Sequence, residues 1–334
     1  MMQAKGHEFG KVPVDAADRS LEDDEEAQPA DDAPSRRRPD VEPLAAVDHS
    51  AIQYIDIEKD FYEEHSDISG LSNEQVEQLR RDLDIRVFGG RVPRPCTSFA
   101  HFGFDEQLLS TIRAHGYTEP TPIQRQAIPI ALSGRDLIGV AKTGSGKTAA
   151  YLLPMMVHIM DQPDLQPGDG PIGIVLAPTR ELCVQIYSET KKFAKGYGLK
   201  ALPLYGGADK MEQFRELRRG GVAVVIATPG RFIDLVKMKA LSLQRVSFVV
   251  LDEADRMFDL GFEPQVRTIE GMNCALTWFY GIFCVFLNCF VSFFILSMTI
   301  SSPFVSISFL LCPFPPLRYG RLFARRAPTA RRSS

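Results

Sequence analysis

The chain has 334 residues, enough for one large domain or two medium ones, and its apolar fraction of 45% is ordinary for a globular protein. Its net charge of −4 is a sum of opposed ends, with 12 acidic and 4 basic residues over Val14–Asp48 and six arginines without an acid over Arg318–Ser334, so bulk charge gives no support to nucleic-acid binding. The opening "MMQAKGHEFGKVPV" lacks the apolar core of a secretory signal, which predicts a cytosolic or nuclear start. The six cysteines have no CxxC spacing and indicate neither a disulfide framework nor a zinc site.

In chain order, residues 1–49 are acidic and rich in Pro and Ala, a composition that buries too little surface to offset its ordering entropy and predicts a disordered tail. Residues 50–97 form a more regular flanking region. In "LSNEQVEQLRRDLDI", Ser72 caps a predicted helix, Gln75 follows three residues on, and Val76, Leu79 and Leu83 share one face until Pro93 and Pro95 end the unit. From residue 98, short apolar runs alternate with amphipathic stretches: "DLIGVA", "IGIVLAP", "KALPLY", "VAVVIATP" and "SFVVLDEAD" each precede a helix-like segment. This alternation predicts an α/β fold with a parallel sheet covered on both faces.

Two motifs carry chemistry. "AKTGSGKT" follows the first of these strands and opens a helix; it comprises Ala141, Lys142, Thr143, Gly144, Ser145, Gly146, Lys147 and Thr148. Its glycines let the backbone wrap phosphates, Lys147 reaches the outer phosphates, and Thr148 offers a hydroxyl to Mg2+, although the usual pattern begins with Gly rather than Ala. Asp252, Glu253, Ala254 and Asp255 lie at the end of "SFVVL", where an open parallel sheet binds ligands. There Asp252 can hold Mg2+ and Glu253 can polarise an attacking water. Three acids in four residues are by themselves a common helix start; the position 105 residues after Lys147, on the same sheet, gives them weight.

Together these residues resemble the DEAD-box family of ATP-dependent RNA helicases. "GYTEPTPIQ", with Phe99 17 residues before Gly116, is similar to that family's adenine-reading Q motif. The resemblance implies that Gln124 hydrogen-bonds adenine and Tyr117 stacks on it. "APTREL" (Pro178, Thr179, Arg180), the pair Gly206 and Gly207, and "TPGR" (Thr228, Pro229, Gly230, Arg231) resemble the family's contacts to the RNA sugar-phosphate backbone. Loop and helix-start N–H groups beside an arginine suit phosphate contact without base readout. The resemblance further implies a RecA-like doubly wound parallel sheet over 98–269, ATP and Mg2+ as ligands, and sequence-indifferent RNA binding. The flank from Ala51 is similar to the splicing-associated branch, which implies a nuclear rather than cytoplasmic protein with splicing factors as partners.

After Ile269 the pattern stops. Gly271–Leu317 contains no Asp, Glu, Lys, Arg or His and nine Phe, and the family's next strand, with its Ser-Ala-Thr motif, and its whole second domain are missing; "SMT" at Ser297–Thr299 is a chance match. Residues 270–334 are therefore expected to be an aberrant apolar tail with a basic C-terminus, leaving the domain incomplete and a strand edge open. T-rich DNA encodes such a composition, which points to a translated intron or a truncated gene model. Ala275–Ile300 is alternatively long enough to span a bilayer. The alternative functions are then a non-catalytic ATP- or RNA-binding fragment and a tail-anchored membrane ATPase.

Overall fold

The computed structural model describes residues 55–166, 168–272, 282–287 and 308–311. The acidic segment 1–49, Ser297–Thr299 and the arginine-rich end lie outside the described residues.

The flank supplies α1 (Ser66–Ser69), α2 (Asn73–Asp82) and β1 (Arg86–Phe88). Ser72 and Gln75 form the expected reciprocal cap of α2, with Ser72 N donating to Gln75 Oε1 at 2.7 Å and Gln75 N to Ser72 Oγ at 3.2 Å. A 3-10 turn over Phe99–Phe102 leads to α3 (Glu106–Ala114), started by Asp105, whose carboxylate accepts from Leu108 N, and then to α4 (Pro122–Leu132), which has Pro at its first position. The alternating section follows: β2 (Leu137–Val140), α5 (Lys147–Met160), β3 (Gly173–Leu176), α6 (Arg180–Ala194), β4 (Lys200–Leu204), α7 (Lys210–Arg218), β5 (Val222–Ala227), α8 (Pro229–Lys237), β6 (Phe248–Leu251), α9 (Ala254–Asp259) and α10 (Glu263–Met272). All five runs read as strands are strands, and the doubly wound α/β fold holds.

Strand periodicity divides the core. Leu137, Val175, Ile226 and Val250 belong to one buried cluster with the helices α3 to α6, while Ile138, Ile174, Val225 and Leu251 belong to a second with α7 to α10. Neighbouring residues of each strand point to opposite faces, so a run apolar at every position must be covered on both.

The flank belongs to the first cluster rather than standing apart. Ile68, Ile85 and Cys96 are buried in it, Phe61 N donates to Leu132 O at 2.7 Å, and Gln126 Nε2 to Pro93 O at 2.8 Å.

The expectation of an open strand edge is overturned. The sheet runs β1-β8-β2-β7-β6-β3-β5-β4, where β7 (Ile282–Leu287) and β8 (Ser308–Leu311) come from the charge-free segment. β7 lies between β2 and β6 and is parallel to both, with Leu137 opposite Cys284 and Phe248 opposite Ile282. Backbone pairing asks only for an extended run of suitable residues, and "IFCVFL" is rich in strand formers. The bilayer-span reading of Ala275–Ile300 fails at the same place, because six of its residues are a sheet strand. Among the described residues no helix is long and apolar enough to cross a membrane.

Candidate nucleotide-binding site

The loop between β2 and α5 lies at the carboxyl edge of the sheet, where the first N–H groups of α5 lack helical partners and attract anions. Gly146 ends the loop with φ +91°, and a Cβ there would sit 2.5 Å from Gln124 Nε2, so both its backbone angle and its surroundings require glycine. Gly144, also at positive φ, faces open space, with nothing within 4 Å of where a Cβ would stand. Ser145 Oγ is buried without a hydrogen-bond partner, and Lys147 Nζ curls back over its own loop, donating to Ala141 O at 2.6 Å and lying 3.5 Å from Lys142 O. These are donors gathered around a backbone cradle, which fits a polyphosphate.

Opposite the loop, β6 ends in Asp252, only 3% exposed. Its Oδ2 accepts from Tyr151 Oη at 3.0 Å and its Oδ1 from Glu253 N at 3.0 Å. Burial pushes this carboxyl up to about 6, against the Tyr151 hydrogen bond and the Lys147 charge, which both favour the ionised form. Thr148 lies one turn before Tyr151 on α5; burial and the Asp252 charge hold the Tyr151 phenol well above the ordinary range. A hydroxyl and a carboxylate are hard oxygen donors of the kind Mg2+ takes, so Thr148 and Asp252 fit that ion. Glu253 starts α9 in the left-handed region, φ +51°, a conformation that costs a non-glycine residue roughly 1–3 kcal/mol and recurs where side chains are aimed for function. Its carboxylate is 3.5 Å from Arg256 Nη1; the next two residues, Ala254 and Asp255, are buried.

The Q-motif residues converge on the same loop. Gln124 is fully buried; its Oε1 accepts from Thr121 N at 2.9 Å and its Nε2 donates to Gly146 O at 3.0 Å. Tyr117 packs edge-on against buried Phe99 and tilted against Phe193, and its hydroxyl lies 3.4 Å from Glu189 Oε2.

A second group gathers beyond β4. Arg180, on α6 just after its cap Thr179 and Pro178, lies over the Tyr205 ring at 5.1 Å and within 3.4 Å of the place a Gly207 Cβ would take, next to Gly206. Arg231, two residues after Pro229 and beside Gly230, donates to Ala208 O at 3.2 Å and Gln213 Oε1 at 2.9 Å. Thr228 N donates to Leu204 O at 2.9 Å, joining that helix start to the same edge. Sequence reasoning missed Tyr151, Tyr205 and Gln213. Only Tyr151 carried a signal, lying three residues after Thr148 and hence on the same helical face.

Residues 121–280 match the family described as DEAD/DEAH box helicase. The chain is 60% identical over 231 residues to DEAD-box ATP-dependent RNA helicase 24 of Oryza sativa, covering 69% of this chain and 30% of that protein. It is 55% identical over 250 residues to ATP-dependent RNA helicase DDX42 of Homo sapiens, covering 75% and 26%. Among solved structures, the yeast DEAD-box splicing factor Prp28 superposes with a TM-score of 0.66 at 31% identity, over 72% of this chain and 57% of that one. The ADP-bound RNA helicase Prp28 of Chaetomium thermophilum gives 0.63 at 34% identity, over 76% and 60%. The chain spans less than a third of the length of these curated relatives.

Proposed function

We propose a function from the premise that this chain belongs to the DEAD-box helicase family. It binds ATP with Mg2+ between the 141–148 loop and the acidic end of β6, and couples that site to the RNA backbone. The observation that carries this reading is the 3.0 Å hydrogen bond from Tyr151 Oη to Asp252 Oδ2, which ties α5, the helix that the phosphate loop opens, to the acidic strand end.

Mg2+, when bound, neutralises charge on the phosphates. The remaining work falls to the chain's own groups. Lys147 exchanges the Ala141 carbonyl for phosphate oxygens, Thr148 and Asp252 hold the ion, and Glu253 orients the attacking water. Gln124, with Phe99 and Tyr117, recognises the adenine, and so exchanges one of its two present partners for the base. Arg180 and Arg231, with the helix starts at Thr179 and Thr228 and the glycines at 206 and 207, contact RNA phosphates irrespective of sequence.

Duplex remodelling is proposed for the whole protein. A second domain supplies the arginine finger, a group worth roughly 10³ to 10⁵ in rate in related phosphoryl transfer. The likeness of the flank to the splicing-associated branch, and of the fold to a yeast splicing factor, supports a nuclear location and splicing factors as partners.

The test is titration of a fluorescent ATP analogue with and without Mg2+, together with RNA-stimulated hydrolysis. Mg2+-dependent binding that Lys147→Ala abolishes is expected, with little turnover. Binding indifferent to Lys147→Ala would remove the basis of the reading.

A further inference from the structure

His65 and His101 are 36 residues apart in sequence, yet their rings stack at a centroid separation of 4.7 Å and an interplanar angle of 28°. Asp67 completes a group of three. Its Oδ2 is 3.7 Å from His65 Nδ1 and 3.6 Å from His101 Nε2, and the three candidate ligand atoms all lie within 4.8 Å of one another. Both separations exceed the roughly 2.7–2.9 Å of a charge-assisted N–H···O bond.

The hydrogen bonds bear on which atoms can offer lone pairs to a cation. His65 Nδ1 accepts from Asp67 N at 3.2 Å, so it holds no proton to offer the Asp67 carboxylate. His101 Nδ1 is 3.3 Å from Thr97 Oγ1; the tautomer that donates Nδ1–H to that hydroxyl turns the Nε2 lone pair toward Asp67, whereas the other places an N–H there. In the first tautomer the His101 Nε2 lone pair and the Asp67 carboxylate oxygen face one another, and a cation between them can also take the His65 Nδ1 lone pair from its bond with Asp67 N.

We propose that His65, Asp67 and His101 bind a divalent transition ion of the zinc class, with solvent as the fourth ligand. Bonds of about 2.0–2.2 Å in a tetrahedron separate ligand atoms by about 3.4 Å; the 3.6 and 3.7 Å spacings to Asp67 are close to that, and the two imidazole nitrogens, within 4.8 Å of each other, close around the ion by a small turn of the exposed His65 ring. Two nitrogen donors select against Mg2+, and this site is distinct from the hard-oxygen pair Thr148 and Asp252. Thr97 plays the outer-sphere part that fixes a ligating histidine's tautomer. Binding replaces the 3.2 Å cap bond at His65 and pins the start of α1 to the 3-10 turn that carries Phe99.

The test is a Co2+ titration of the full chain without nucleotide, read by visible absorption and followed by Zn2+ displacement in a calorimeter. One ion per chain with the intense bands of four-coordinate cobalt is expected. His65→Ala and Asp67→Asn alter exposed side chains and should each weaken binding more than about 10-fold, with the far-UV spectrum unchanged; Thr97→Val should cost about 10-fold. Zn2+ should also slow proteolysis around residues 58–70 in the wild type and not in His65→Ala. The proposal is overturned by an absence of four-coordinate bands. It is equally overturned by binding of undiminished affinity in both His65→Ala and Asp67→Asn, which would place the ion on cysteines elsewhere.

Discussion

The Tyr151 hydroxyl, on the first turns of α5, lies 3.0 Å from Oδ2 of Asp252 at the end of β6 and spans the gap between the two halves of the nucleotide site. Tyr151→Phe keeps the ring and removes that bond. Affinity for Mg2+-nucleotide should fall about fivefold, the equivalent of roughly 1 kcal/mol, while affinity for nucleotide in excess chelator stays the same. An equal loss in both conditions would assign Tyr151 to packing.

Asp252 links stability to pH. Its folded carboxyl titrates near 6 rather than 3.8, so its stabilising contribution is complete below 3.8 and lost as pH rises through about 6. The gap corresponds to about 3 kcal/mol. Without nucleotide and metal, Asp252→Asn should be the more stable protein at pH 7.5 by up to about that amount, and the advantage should shrink below pH 6. Urea melts of both proteins across that range test this, and a difference constant with pH would refute it.

Gln124 has a structural duty in the free protein. Gln124→Ala leaves Thr121 N and Gly146 O without their partner, at a cost of about 1–3 kcal/mol before any nucleotide is added. A residue that only reads adenine would leave the free protein's melting unchanged, and calorimetry separates the two cases.

The two arginines should differ. Arg180→Ala and Arg231→Ala should each weaken RNA binding equally across sequences and flatten the log–log salt slope by about 1. Arg231→Ala should also lower stability, because it releases Ala208 O and Gln213, whereas Arg180 is exposed. Loss of affinity for one base sequence alone would contradict a backbone contact.

Cutting the chain after Met272 removes both partners that β7 and β8 give to β2. The shortened protein should melt lower, and its β2 and β6 amides should exchange hydrogen faster than in the full chain. Equal protection would show that the slot needs no strand.

The scaffold was legible because β2, β3, β5 and β6 are unbroken apolar runs and the helix starts after β2 to β5 carry a glycine, proline or small polar residue with local meaning. The phosphate loop was legible because its chemistry is contiguous. Tyr151 was not, since "AAYLLPMM" reads as buried helix and nothing local shows that the hydroxyl faces a carboxylate 101 residues away. The two partners of Gln124 and the meeting of His65 with His101 are likewise products of tertiary placement. β7 was misjudged for a different reason: a segment without polar residues has no periodicity to read, and its place in the sheet depends on a slot formed by strands far upstream.

That slot gives the domain an unusual order of assembly. The phosphate loop leaves the ribosome long before the strand that separates β2 from β6, so the two walls of the nucleotide site cannot be spaced finally until Leu287 is made. Until then β2 waits without a sheet partner and β6, paired with β3, keeps its other edge open, a long-range closure that is slow to form and open to capture in the meantime. Nascent chains halted short of β7 should therefore be chaperone clients, and release from the chaperone should coincide with the emergence of that strand.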